Sequence, residues 1–163
     1  MGYYIRMTLR NIMKLAEALK MRADLNQRLY HLQERLINNS KVQEGEEPGE
    51  DPRDLLDELD NVTEQLYGLI CRINITNSTT RADDGETITS LIARRDTYMR
   101  KADILRAFVN EASCTVNRHS SSEIKILSTV NVKDMMKAID ELSKEIRITD
   151  TRIQELNWTT ELI

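Results

Sequence analysis

Few residues in this chain could do chemistry, and none stands in a recognisable catalytic spacing. Arg22 and Arg95 fall where a helical seam expects an apolar side chain, with Asp24 and Asp96 beside them. A desolvated guanidinium needs a carboxylate partner, because an unpaired buried charge costs several kcal/mol. Two readings follow: a buried charge cluster that fixes helix register, or arginines whose heads reach solvent at a hairpin edge or oligomer boundary. The second is the simpler reading. We keep Arg22, Arg95 and Asp96 as candidate site residues and assign no catalytic residue.

The two histidines are His31 and His119. His119 sits among Arg118, Ser120, Ser121, Ser122 and Glu123, but no Gly-x-Ser-x-Gly elbow supports nucleophilic catalysis, so a solvated turn is the reading. Glu-x-x-His pairs of the kind that hold iron in helical bundles are absent from the sequence. Cys71 and Cys114 are 43 residues apart in number with no CxxC, and read as reduced thiols. The Asn-x-Ser/Thr triplets, such as Asn61-Val62-Thr63, fall largely inside expected helices and read as chance composition. Trp158 is expected to cap one end of the core or an interface. No metal, cofactor or small-molecule ligand is expected.

The elements that must position these residues are long helices. Leu55, Leu59, Val62, Leu66, Leu69 and Ile73 step by fours and threes, which keeps one stripe facing a partner helix. Leu15, Ala18, Arg22, Leu25, Leu29, Leu32 and Leu36 repeat that pattern in a first helix expected from about Thr8 to Asn38. Between them lies an acidic connector, residues 39–51, with Gly45, Pro48 and Gly49 among glutamates. It lacks the ligand spacing of a calcium loop. Asp51 and Pro52 suit the cap and first turn of a second helix ending near Thr76. Gly68 inside it reads either as a close backbone approach or as a tolerated glycine.

Residues 77–86 read as a turn centred on Asp84-Gly85. A third helix carries Ile88, Leu91, Arg95, Tyr98, Ala102, Leu105, Val109 and Ala112. Ile124, Ile126, Ser128 and Val130 then alternate, which predicts one short strand over 123–130. It would pair with residues 114–116 or with its copy in another subunit. Asn131 should cap a fourth helix with the seam Val132, Met135, Ile139, Leu142, Ile146, Thr149, Ile153 and Leu156. Arg22, Arg95 and Thr149 are the polar interruptions of these seams.

With 163 residues, 31% charged and 4% aromatic, the chain fits one domain of solvated helices. Its net charge of −4 and lack of a basic stripe argue against nucleic acid. No apolar run reaches the ~20 residues of a membrane-spanning helix, and the opening residues lack a secretory pattern. A cytoplasmic protein is therefore expected.

The strings MKLAEALKMRADLNQRLYHLQERLIN (13–38), NSKVQEGEEPGEDP (39–52), LIARRD (91–96), SSEIKILSTVNV (121–132) and DTRIQELNWTTEL (150–162) together resemble the DIP1984 family of bacterial proteins, often labelled septicolysin. The resemblance covers nearly the whole chain after Met13. It implies an all-helical, self-associating protein of unestablished activity, and it carries no catalytic residues. The septicolysin label implies a pore-forming toxin, which needs an export route and an element able to cross lipid. Residues 1–12 depart from the family's usual opening and are expected to be dispensable.

These readings converge on a mainly α fold. Long antiparallel helices form a hairpin or bundle in a single domain over 1–163, with a small β-element between the third and fourth helices. Helices this long carry more apolar stripe than one hairpin covers, so a homo-oligomer is expected. The leading function is a non-enzymatic structural or interaction protein. The alternatives are a membrane-active toxin and a small-molecule enzyme with a site between subunits around Arg22, Arg95 and Asp96.

Overall fold

The computed structural model describes residues 13–114 and 127–163. Among them are four α-helices: α1 (Leu15–Asn38), α2 (Pro52–Thr79), α3 (Ile88–Ser113) and α4 (Val132–Thr159). They fall into two compact units, residues 1–80 with 156–163 and residues 81–155. The end of α4 therefore belongs to the first unit and the rest of it to the second.

In the first unit, α1 and α2 form a hairpin. Asp51 Oδ1 accepts from the Arg53 amide at 2.9 Å and Pro52 opens α2, as its fixed φ and missing N–H allow. The connector is tied down rather than free. Asn39 donates to the Arg35 carbonyl (2.9 Å) and accepts from the Glu50 amide (3.0 Å), while Gly45 supplies the left-handed turn at φ +89°. Among the described residues a Cβ added at Gly68 would meet nothing within 4 Å, which favours the tolerated-glycine reading over a close backbone approach.

The seam is buried unevenly. Ala18, Leu25 and Leu32 on α1 and Leu55, Val62 and Leu69 on α2 are buried, a step of seven on each helix. Arg22, Leu29, Leu36, Leu59 and Leu66, which complete the three–four pattern, are only half-buried. The first row seals the two-helix contact; the second lies on its flank and is buried only at Leu15 and Ile73, beside residues 160–163.

Residues 156–163 close the same unit. The Leu15 amide donates to the Thr160 carbonyl (3.0 Å) and the Leu162 amide to the Met13 carbonyl (2.9 Å), around an antiparallel bridge between Lys14 and Glu161. Thr76, fully buried, accepts the Ile163 amide at 3.0 Å, and Arg72 Nε donates to the Ile163 backbone oxygen at 2.9 Å. Trp158 lies within α4 and is 69% exposed, so it does not cap the core.

In the second unit, α3 and α4 run antiparallel, since Arg95 meets Asp150 while Arg106 meets Ser143. Residues 81–87 make a tight turn with Gly85 at φ +86°, closed by the Ala82 amide on the Glu86 carbonyl at 2.8 Å. Thr87 Oγ1 caps α3 by accepting the Ser90 amide, and Asn131 Oδ1 caps α4 by accepting the Lys133 and Asp134 amides.

Three expectations change. The first helix begins at Leu15 rather than Thr8, and residues 1–12 lie outside the described residues. The second runs on to Thr79, because Ser78 and Thr79 return their hydroxyls to the Ile75 carbonyl and continue the turn expected to break. The small β-element is not seen. Residues 127–130 form no strand, and the rest of that segment, with His119, lies outside the described residues. Alternation alone does not make a strand without a ladder partner.

Candidate functional site

The expected site residues separate. Arg22 is half-buried on α1 in the first unit and forms no ion pair among the described residues, while Arg95 and Asp96 lie on α3 in the second. Each unit has its own arrangement of charge.

In the second unit, Arg95 is the centre of a helix-crossing pair. Its Nε donates to Asp96 at 2.9 Å and its Nη1 to Asp150 at 3.0 Å, with 27% of the side chain exposed. Burial works against the charge, but the bonds to Asp96 and Asp150 outweigh it and hold the guanidinium above its ordinary range. Asp150 in turn accepts from Gln154 at 2.8 Å. With Asp96 and Asp150 themselves 57% and 40% exposed, this is a partly exposed ion-pair cluster rather than the buried one. Arg95 has the partner a half-buried arginine requires, and that partner comes from α4 as well as from its sequence neighbour.

Two further pairs tie the 81–87 turn to the helices, and sequence reasoning missed both. Asp84 takes both terminal nitrogens of Arg152, at 2.7 and 2.6 Å, and also accepts the Glu86 amide at 3.1 Å. The Arg152 bond is the main reason its carboxyl drops to about 2 from an ordinary 3.8. Glu86 pairs with Arg94. The available signal was an acidic turn one helix away from arginines, but which arginine it meets depends on how α4 passes the turn.

In the first unit, charge gathers on one flank of the hairpin. Arg28 Nε donates to Glu58 at 2.9 Å, and Arg35 reaches Glu58 at 3.1 Å and Glu50 at 3.0 Å. Hydrogen bonding to Arg35 lowers the Glu50 carboxyl, and hydrogen bonding to Arg28 lowers that of Glu58. Leu29, Leu36 and Leu59 each follow one residue after a member of this network. A step of one residue turns about 100° around a helix, so these leucines lie across the core-facing line, on the opposite flank. Tyr30, Ile37, Leu56 and Tyr67 extend that flank outward and are 50–64% exposed. Between them stand Asn26, Gln33 and Thr63, and Arg22 and Asp60 are the charges on the strip.

No group of three His, Cys, Asp or Glu side chains among the described residues could hold a metal ion. Cys71 and Cys114 are free. A groove of about 420 Å³ lies between α3 and α4 beside Arg106, Val109, Met136 and Ile139, and another cavity lies between the end of α3 and residues 127–129. Arg106 in the groove is engaged with Asp103 and Ser143, both at 3.0 Å. No described helix is long and apolar enough to cross a membrane.

A family of unknown function, DUF6847, matches residues 22–162. The chain belongs to that family. It is also similar to the crystal structure of a functionally unknown conserved protein from Corynebacterium diphtheriae, with 37% identity, a TM-score of 0.86, and coverage of 94% of this chain and 100% of that one. No curated protein matches the chain. The family model spans residues of both units, and the mainly α architecture is shared with the Corynebacterium diphtheriae protein.

Proposed function

We propose that this DUF6847 protein is a self-associating structural or interaction protein of the cytoplasm, without catalytic chemistry of its own. The observation that carries this reading is the apolar flank of the α1–α2 hairpin, where half the heptad seam stays half-buried and the residues beyond it are exposed. Exposed apolar side chains gathered on one flank mark an interaction site on a folded protein. The charged residues support the same reading. Arg28, Arg35, Arg94, Arg95 and Arg152 are each used in ion pairs between elements rather than gathered around an open pocket. The free cysteines accord with a reducing compartment.

Sedimentation equilibrium of the purified chain tests the proposal. A mass above one chain across the micromolar range is the expected result, and a monomer throughout would refute it. The toxin suggested by the septicolysin label predicts dye release from liposomes. We expect none, in keeping with the absence of a spanning helix among the described residues.

A further inference from the structure

We propose that the charge-poor strip on the α1–α2 hairpin is the surface on which a second copy of this chain docks, strip to strip and related by a two-fold axis. This rests on the self-association proposed above and names its surface. The strip runs from about Leu19 to Ile37 on α1 and from Leu56 to Asn74 on α2. At ~1.5 Å per residue and with two helices side by side, it measures roughly 28 by 20 Å. Two such strips cover roughly 1,100 Å² in projection, which clears the ~1,000 Å² that a specific interface needs.

Three observations favour a second copy over other occupants. The half-buried rows, Leu29 with Leu36 and Leu59 with Leu66, repeat every seven residues, so a like surface offers rows of the same pitch. The two helices are antiparallel, so a two-fold axis lying in the plane of the strip always sets antiparallel helices face to face: α1 against the partner's α2 when the axis runs along the helices, and α1 against the partner's α1 when it runs across them. The strip carries only Arg22 and Asp60, of opposite sign, whereas the other flank carries the Arg28–Glu58–Arg35–Glu50 network, so the strip is the flank that dries at the lower electrostatic cost. Docking would place four helices around the leucine rows and complete the seam that each hairpin leaves half covered.

The test uses the full chain carrying Ile37→Lys and Tyr67→Lys together. Both residues are more than 60% exposed, so the hairpin does not need them in order to fold. Ile104→Lys, equally exposed on α3, is the control. We expect the double variant to keep its helical circular dichroism and weaken association by at least about tenfold, with the control unchanged. A double variant that associates like the parent overturns this surface while leaving self-association standing. A parent chain that is monomeric removes both. A photo-crosslinking residue at position 67, read in a mixture of light and heavy-isotope chains, should join α1 or α2 of a different copy. Crosslinks confined to one chain, to residues 1–12 for example, overturn the proposal by identifying another occupant.

Discussion

Leu29 and Leu32 are the same residue type one turn apart on α1, and truncating each to alanine should separate the hairpin's own core from its outer flank. Leu32 is fully buried and Leu29 half-buried. Leucine to alanine removes three carbons, about 0.8 kcal/mol each when buried, so Leu32→Ala forfeits about 2.4 kcal/mol of transfer energy. The cavity left behind brings the loss to about 3 kcal/mol. For a chain of 163 residues this lowers the melting temperature by about 6–12 °C. Leu29→Ala loses about half the transfer energy and leaves little cavity, so it costs about 1 kcal/mol in the isolated chain.

Protein concentration distinguishes the two further. Leu32 is sealed within one hairpin, so its loss should be the same at every concentration. A leucine covered by a second copy contributes through association, so the loss at Leu29 should grow as concentration rises. Urea or thermal unfolding followed by circular dichroism over a hundredfold dilution series, roughly the span that shifts a mass-action term by ~2.7 kcal/mol, provides the assay. Equal and concentration-independent losses at both sites would refute the assignment of Leu29 to an interface. A negligible loss at Leu32 would refute the hairpin core itself.

Gly68→Ala should stabilise by about 1 kcal/mol, since the position is helical and the added Cβ meets nothing among the described residues; a rise in urea midpoint checks this. Asp84→Asn should be less stable than the parent at neutral pH. The folded carboxyl sits at about 2 against an ordinary 3.8, so its stabilisation is complete above about pH 4 and fades as pH falls toward 2; unfolding curves at several pH values should therefore converge in acid. Thr76→Val should cost about 1–3 kcal/mol by leaving the Ile163 amide without its acceptor, with faster hydrogen exchange at that amide as the marker. Arg95→Met should lower stability by about 1 kcal/mol or less, and by less still in high salt. No change at either ionic strength would remove the role of Arg95 in setting the α3–α4 register.

Much of the fold was legible because helices carry their signals locally. The three–four steps, the Asp51-Pro52 and Asn131 starts and the Asp84-Gly85 turn depend on residues within one or two turns of each other, and each stands where its spacing put it. The short strand is not seen at residues 127–130, and the rest of its expected span lies outside the described residues; β-pairing needs a partner that local alternation does not supply. The site was legible only in part. Arg95 was visible as an oddity in a seam, but Asp150 lies 55 positions away and Arg152 lies 68 positions from Asp84.

The sequence by itself determined where the helices lie, how they are capped and which stripe of each is apolar, since these follow from backbone periodicity and side-chain chemistry within a few residues. Only the tertiary structure decided how that stripe is divided. One heptad row of the α1–α2 hairpin is sealed and the next is left on a charge-poor flank except at Leu15 and Ile73, because two helices close one line of contact and residues 160–163 pack only at one end of it. It also decided that the arginines of the seams part company, Arg95 bound between α3 and α4 and Arg22 left on the open strip.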